Sequence, residues 1–143
     1  MEQPVLIRKA KEEDVFQIQK LANQLSETIS VSESYLHANF SRFLENEEHC
    51  LFVAVQNEIV VGYVSGYFHD AIYASGPVAY VDEIVVDATA RTMRTGSQLM
   101  AHFEEAAKKK GCLLVSLATY GAKGFYETLG YTSKAGYFKK YLR

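Results

Sequence analysis

At 143 residues, 48% of them hydrophobic, the chain is long enough for one domain with a substantial core, and too apolar and periodic to be disordered. A formal net charge of −2, with no long run of one sign, argues against a dedicated nucleic-acid binder and leaves room for a cationic partner. No segment is apolar enough for long enough to span a membrane, and the opening MEQPVLIRKAKEED turns charged too soon for a signal peptide, so no nucleic acid and no membrane are expected as partners and the cytoplasm is the expected location.

Taken in chain order, Val5–Lys9 reads as a short opening strand. Lys11–Leu25 reads as a helix: Val15, Ile18, Leu21, Ala22 and Leu25 recur at steps of three and four, and Glu12, Glu13 and Asp14 place negative charge in its first turn. Ser26–Val31 is a break, and a second helix is predicted over Ser34–Glu47, with Leu36, Phe40, Phe43 and Leu44 on one side. Cys50–Gln56 and Ile59–Phe68 read as a hairpin closed by a tight turn at Asn57-Glu58. His69–Pro77 is a loop, punctuated by Gly76-Pro77, before a strand over Val78–Val86. Thr95–Lys110 is the clearest helix, with Leu99, Met100, Phe103, Ala106 and Ala107 inward and Gly111 as its stop. Leu113–Ala118 is a buried strand, Ala122–Leu129 a short helix closed by Gly130, and Tyr131–Leu142 a last strand bent at Gly136. Cys50 and Cys112 each begin an apolar run and read as buried thiols in a reducing compartment, and the four histidines show no metal-ligand spacing, so no metal is expected.

The stretch Tyr80–Met100, YVDEIVVDATARTMRTGSQLM, carries the most chemistry. A β-branched strand runs into a polar turn, and the turn opens onto a helix. Thr95 is the expected N-cap, with Gln98 three residues on in capping-box spacing. A helix start offers free N–H groups and a positive dipole end, so it suits phosphate oxygens, and Arg91 and Arg94 beside it add guanidinium partners.

The segment Arg91-Thr-Met-Arg94-Thr-Gly96-Ser97 resembles the Q/R-x-x-G-x-G/A signature of the GCN5-related N-acetyltransferase (GNAT) superfamily, with Arg94 where the first glycine stands. Ala122 together with Phe125-Tyr-Glu-Thr-Leu-Gly-Tyr131 is similar to a second element of that family, A-x-x-F-Y-x-x-x-G-F/Y. The element order β-α-α-β-β-β-α-β-α-β also resembles the family's. The resemblance covers nearly the whole chain and implies a single domain over residues 1–143. It implies an α/β (α+β) three-layer sandwich whose mixed, mostly antiparallel sheet contains a central β-α-β crossover.

What it implies for chemistry is acetyl transfer from acetyl-CoA, as cosubstrate, to a primary amine on a small molecule or peptide. By resemblance, the backbone of Ile84, Val85 and Val86 pairs with the pantetheine amides, and Arg91, Arg94, Thr95, Gly96 and Ser97 surround the pyrophosphate. Thr119 stands near the family's cofactor-contacting asparagine. Tyr126 matches the proton donor to the departing thiolate, and Asp82 or Glu83 the acidic residue that serves the amine. Alternation puts Asp82 on the face of Tyr80, Ile84 and Val86, and Glu83 on that of Val81 and Val85, so at most one points at the amine. Tyr35, Asp70 and Tyr73 lie where this fold selects its acceptor. The bland readings stand beside these: a buried strand for Ile84–Val86, loop charge for the arginines, seam packing for Tyr126, and a salt bridge for either carboxylate. A homodimer is the family-level expectation, with the tyrosine-rich tail as a sheet edge. Arg94 for glycine and Thr119 for asparagine motivate the alternative of a non-catalytic acyl-CoA-binding or regulatory module.

Overall fold

The computed structural model describes residues 3–26 and 28–143; Glu27, within the expected break, and the side chains of Thr92 and Met93 lie outside that description. The sheet has five strands in the order β1-β2-β3-β4-β5: Leu6–Lys9, His49–Gln56, Ile59–Ala71, Gly76–Val86 and Val115–Leu117. The first four pair antiparallel and β5 joins β4 in parallel, through the crossover that contains α3 (Thr95–Lys109). The β2–β3 turn is as tight as the sequence implies, with Asn57 and Glu58 both at positive φ, the pairing of left-handed residues that matches strand twist in a two-residue hairpin.

Helices α1 (Val15–Ala22) and α2 (Glu33–Glu45) cover one face of the sheet, α3 and the short α4 (Lys123–Thr128) the other. Val15, Ile18 and Leu21 of α1 and Phe40 of α2 pack with Val53, Val60, Tyr63 and Val85. Leu99, Met100 and Phe103 of α3 pack with Val64, Phe68, Ala79 and Val81. Ser32 caps α2 by accepting from the Tyr35 amide at 3.2 Å. Asp14, read from sequence as first-turn helix charge, is instead turned inward: it accepts two hydrogen bonds from Arg8, at 2.8 and 3.0 Å, and one from the Lys11 amide at 2.7 Å. Burial opposes ionisation there, but these donors outweigh it and hold the carboxyl below its usual range.

Several boundaries depart from the sequence reading: the first α-helix begins at Val15, after a 3₁₀ turn over Glu12–Asp14, and the second ends at Glu45. The first helix ends at Ala22, because Asn23 turns its side chain to accept from the Val31 amide at 2.9 Å. The expected loop His69–Pro77 is mostly strand: β3 runs on to Ala71 and β4 starts at Gly76, around a single 3₁₀ turn at Ile72–Ala74. The strand expected over Leu113–Ala118 shortens to Val115–Leu117, although Leu113 and Leu114 still exchange hydrogen bonds with Pro77 and Ala79. No strand forms over Tyr131–Leu142. Tyr131 is tied to α4 and α3, its amide on the Tyr126 carbonyl and its hydroxyl on Glu104 at 2.7 Å, and beyond it every residue is exposed. A three-residue β5 offers little ladder for that tail to join. No helix among the described residues is long and apolar enough to cross a membrane.

Candidate active site

β5 pairs with β4 only at Ala79, Tyr80 and Val81. From Asp82 to Val86, β4 keeps β3 on one side and, among the described residues, has no paired strand on the other. β5 ends at Leu117, opposite Val81, so the backbone of Ile84, Val85 and Val86 lies along the β4 edge beyond that pairing. Their side chains serve the core: Ile84 and Val86 pack on the α3 side, Val85 on the α1/α2 side. The Val86 carbonyl is already engaged, accepting from Arg91 Nε at 3.0 Å, so Arg91 clips the loop to the strand end with part of its guanidinium.

The loop after β4 reaches α3 through a 3₁₀ turn, Ala88–Met93, capped by Asp87, which accepts from the Thr89 amide at 3.2 Å. Arg94 occupies the N-cap position of α3 with φ 59° and ψ 25°, the left-handed conformation that glycine adopts freely. Thr95 is not the cap that the sequence implies. It is the first helical residue, fully buried, and its hydroxyl donates to the Ala90 carbonyl at 3.0 Å. A side chain spent on the loop beneath it cannot reach back to a first-turn amide. The first helical bond runs from Gln98 N to Arg94 O, so the amides of Thr95, Gly96 and Ser97 precede it at the positive end of α3. Gly96 lies close under α4: a Cβ there would lie 3.3 Å from the Phe125 ring, a tight contact that the ring would have to ease.

On α4, Tyr126 is only 7% exposed, and its ring meets Phe125 and Tyr131 edge-on. Its hydroxyl has no hydrogen-bond partner among the described residues, and burial pushes its pKa up, so it stays protonated at neutral pH. Thr119, ahead of α4, accepts from the Ala122 amide at 3.3 Å.

The two carboxylates do not follow simple alternation. Ser65 pairs with Glu83 and Gly66 with Val81, so Asp82 is an extra residue, a β-bulge. Val81 and Ile84, three apart rather than two, both face α3. Without the bulge, Asp82 would stand opposite Gly66 and face Phe103 in the apolar core, a costly place for an unpaired carboxylate. The opposite-face reading is therefore corrected. Glu83 lies with Tyr63 and Val85 on the α1/α2 face, and the Asp82 charge acts on Tyr67 and Tyr80, which pair across that same face. Burial and the adjacent Glu83 charge push the Asp82 carboxyl up. Tyr63, which the sequence reading passed over, donates its hydroxyl to Glu83 Oε1 at 2.8 Å. The available signal was a tyrosine inside the aliphatic run VVGYV of a buried strand, where a phenol needs a partner.

The remaining acceptor-side residues are not gathered here. Asp70 pairs with Pro77, five residues along β3 from Ser65, or roughly 17 Å at the usual strand rise. Tyr73 is on the exposed 3₁₀ turn at the tip of that hairpin, and Tyr35 is exposed in the first turn of α2. Two surface cavities, of about 750 and 430 Å³, lie beside the C-terminal half of α3, at the other end of that helix from the motif loop.

Comparison with known proteins agrees with this architecture. Residues 13–131 match the Acetyltransferase (GNAT) family. Thialysine N-epsilon-acetyltransferase of Sus scrofa is 33% identical over 146 residues, spanning 88% of this chain and 83% of the relative; that of Bos taurus is 31% identical over 144 residues, with the same coverage. The crystal structure of glucosamine-6-phosphate N-acetyltransferase from Arabidopsis thaliana superposes with a TM-score of 0.88 at 22% identity, over 99% of this chain and all of that one. Sequence and fold together define an acetyltransferase. The chain belongs to the GNAT family.

Proposed function

We propose that residues 1–143 form a single N-acetyltransferase domain that moves the acetyl group of acetyl-CoA to a primary amine by direct attack, in the cytoplasm and as a homodimer. The observation that carries this reading is the β4 edge beyond its pairing with β5, carrying the Ile84–Val86 backbone, followed in the chain by the first-turn amides of α3. Those elements suit an extended amide-bearing arm ending in phosphates. Gly96 and Ser97 would hold the pyrophosphate through their amides, with Arg94 exposed beside them. Thr95 would contribute its amide alone. Thr119 would act indirectly, by holding the start of α4 on which Tyr126 rides.

An amine attacks only as the neutral species, and Asp82 and Glu83, both exposed on the α1/α2 side of the sheet, would take its proton, directly or through water. Tyr126, protonated and with no hydrogen-bond partner among the described residues, would donate a proton to the departing thiolate. A carboxylate pair beside Tyr67 and Tyr80 also suits a cationic acceptor. The relatives' name makes a lysine-like aminoalkyl compound such as thialysine the first acceptor to try.

A second reading, a non-catalytic acyl-CoA-binding or regulatory module, is favoured by one observation: the left-handed residue of the phosphate loop is an arginine. Titration calorimetry with acetyl-CoA, followed by a panel of amines read by product mass, separates the readings. Binding with acetylated product supports the enzyme, and binding without turnover supports the module. No binding would falsify both.

A further inference from the structure

We propose that Tyr63 is a positioning residue that makes Glu83, and not Asp82, the carboxylate that takes the proton from the acceptor amine. The inference rests on the acetyltransferase reading of the site and adds the residue that selects its base. Tyr63 is 1% exposed, in the middle of β3, between the apolar side chains of α1 and the sheet. A phenylalanine would fill that space with no polar atom to satisfy. The hydroxyl has one partner among the described residues, Glu83 Oε1 at 2.8 Å, reached diagonally because Tyr63 stands opposite Val85 and Glu83 opposite Ser65.

That bond fixes one oxygen of the exposed Glu83 and leaves the other, Oε2, without a hydrogen-bond partner among the described residues. A general base must be held within hydrogen-bond reach of the proton it takes, and a side chain locked by a buried donor is held in a way a free rotamer is not. The Tyr63 phenol keeps its proton, since burial and the Glu83 charge both disfavour a phenolate, so it acts as a donor only. Asp82 has no hydrogen-bond partner among the described residues, and as the bulged residue it lacks a cross-strand neighbour to brace it. The charged and titratable groups around Glu83 are Asp82 on β4, Tyr63 on β3 and the half-buried His49 on β2; among the described residues no group of α1 or α2 forms an ion pair with it.

The test is a set of coupled variants of the full chain, with kcat expressed per acetyl-CoA-binding site counted by calorimetry, so that an unfolded fraction does not enter. Tyr63→Phe should lower kcat about 10-fold or more, the effect of losing one hydrogen bond to a charged group, with acetyl-CoA affinity and the amine KM unchanged. In a Glu83→Gln background the same change should cost nothing further, and in an Asp82→Asn background it should cost the full factor. An unchanged kcat in Tyr63→Phe, or an equal loss in the Glu83→Gln background, would overturn the assignment while leaving acetyl transfer standing. A wild-type protein that binds acetyl-CoA but acetylates no amine would remove the enzymatic reading itself.

Discussion

Arg94 shows how one residue can sit against its local backbone. Its left-handed conformation costs an ordinary residue about 1–2 kcal/mol, of which glycine's greater freedom in the unfolded chain gives back about 0.5–1. The Arg94→Gly variant should therefore be more stable by about 0.5–1 kcal/mol in reversible chemical denaturation. A loss of stability would mean that the exposed guanidinium makes contacts that outweigh the strain. The substitution is visible in the sequence, since the family motif has glycine there. Its conformational consequence is not, because φ at a loop residue is set by where the next helix must start. The same holds for Thr95: a threonine ahead of a helix with glutamine three residues later looks like a cap, and only the burial of its hydroxyl against Ala90 assigns it elsewhere.

At the scale of elements, the β4 bulge decides which side chains share the open face. Alternation reads a strand as if its register were unbroken, so the sequence separated Asp82 from Glu83 when the sheet does not. The cue lay on the partner strand, in Gly66, one of two glycines within a run of β-formers. A Cβ at Gly66 would press on the Tyr80 carbonyl and come within 2.6 Å of the Phe103 ring. Gly66→Ala should cost about 2–3 kcal/mol, the usual penalty for overpacking a filled core, measured as a lowered denaturation midpoint. Because relief requires the strand to move, activity per folded molecule should fall as well. A variant with full stability and full activity would show that the contact between β3 and α3 is softer than described. What was legible at this scale came from strong local signals: the Asn57-Glu58 turn, the periodicity of α3 and the strand–turn–helix around Arg94. What was not legible depended on specific side-chain and ladder contacts that periodicity does not encode even at short range, as in the inward turn of Asp14 toward Arg8 and the extension of β3 to Ala71 opposite Gly76.

At the scale of the molecule, two apolar layers are closed and one apolar segment is left out. The sheet is covered on both faces, yet the chain beyond Tyr131 carries Phe138 and Leu142 at 94% and 90% exposure, next to a sheet edge only three residues long. In the sequence, aromatic residues spaced along Tyr131–Leu142 read as a strand, and that reading assumed a partner that a single copy does not supply. Exposed apolar segments and open strand edges are the features that proteins usually cover by association. If a second copy provides the cover, sedimentation equilibrium should show a dimer, and a chain ending after Ser133 should be a monomer. The fold of that shortened chain should lose little, within about 0.5 kcal/mol at a concentration where both forms are monomeric, because the deleted side chains are exposed and the Tyr131–Glu104 tie is kept. A shortened chain that still dimerises would move the interface elsewhere. One that unfolds would mean that the tail belongs to the core of its own subunit, and that β5 is completed from within.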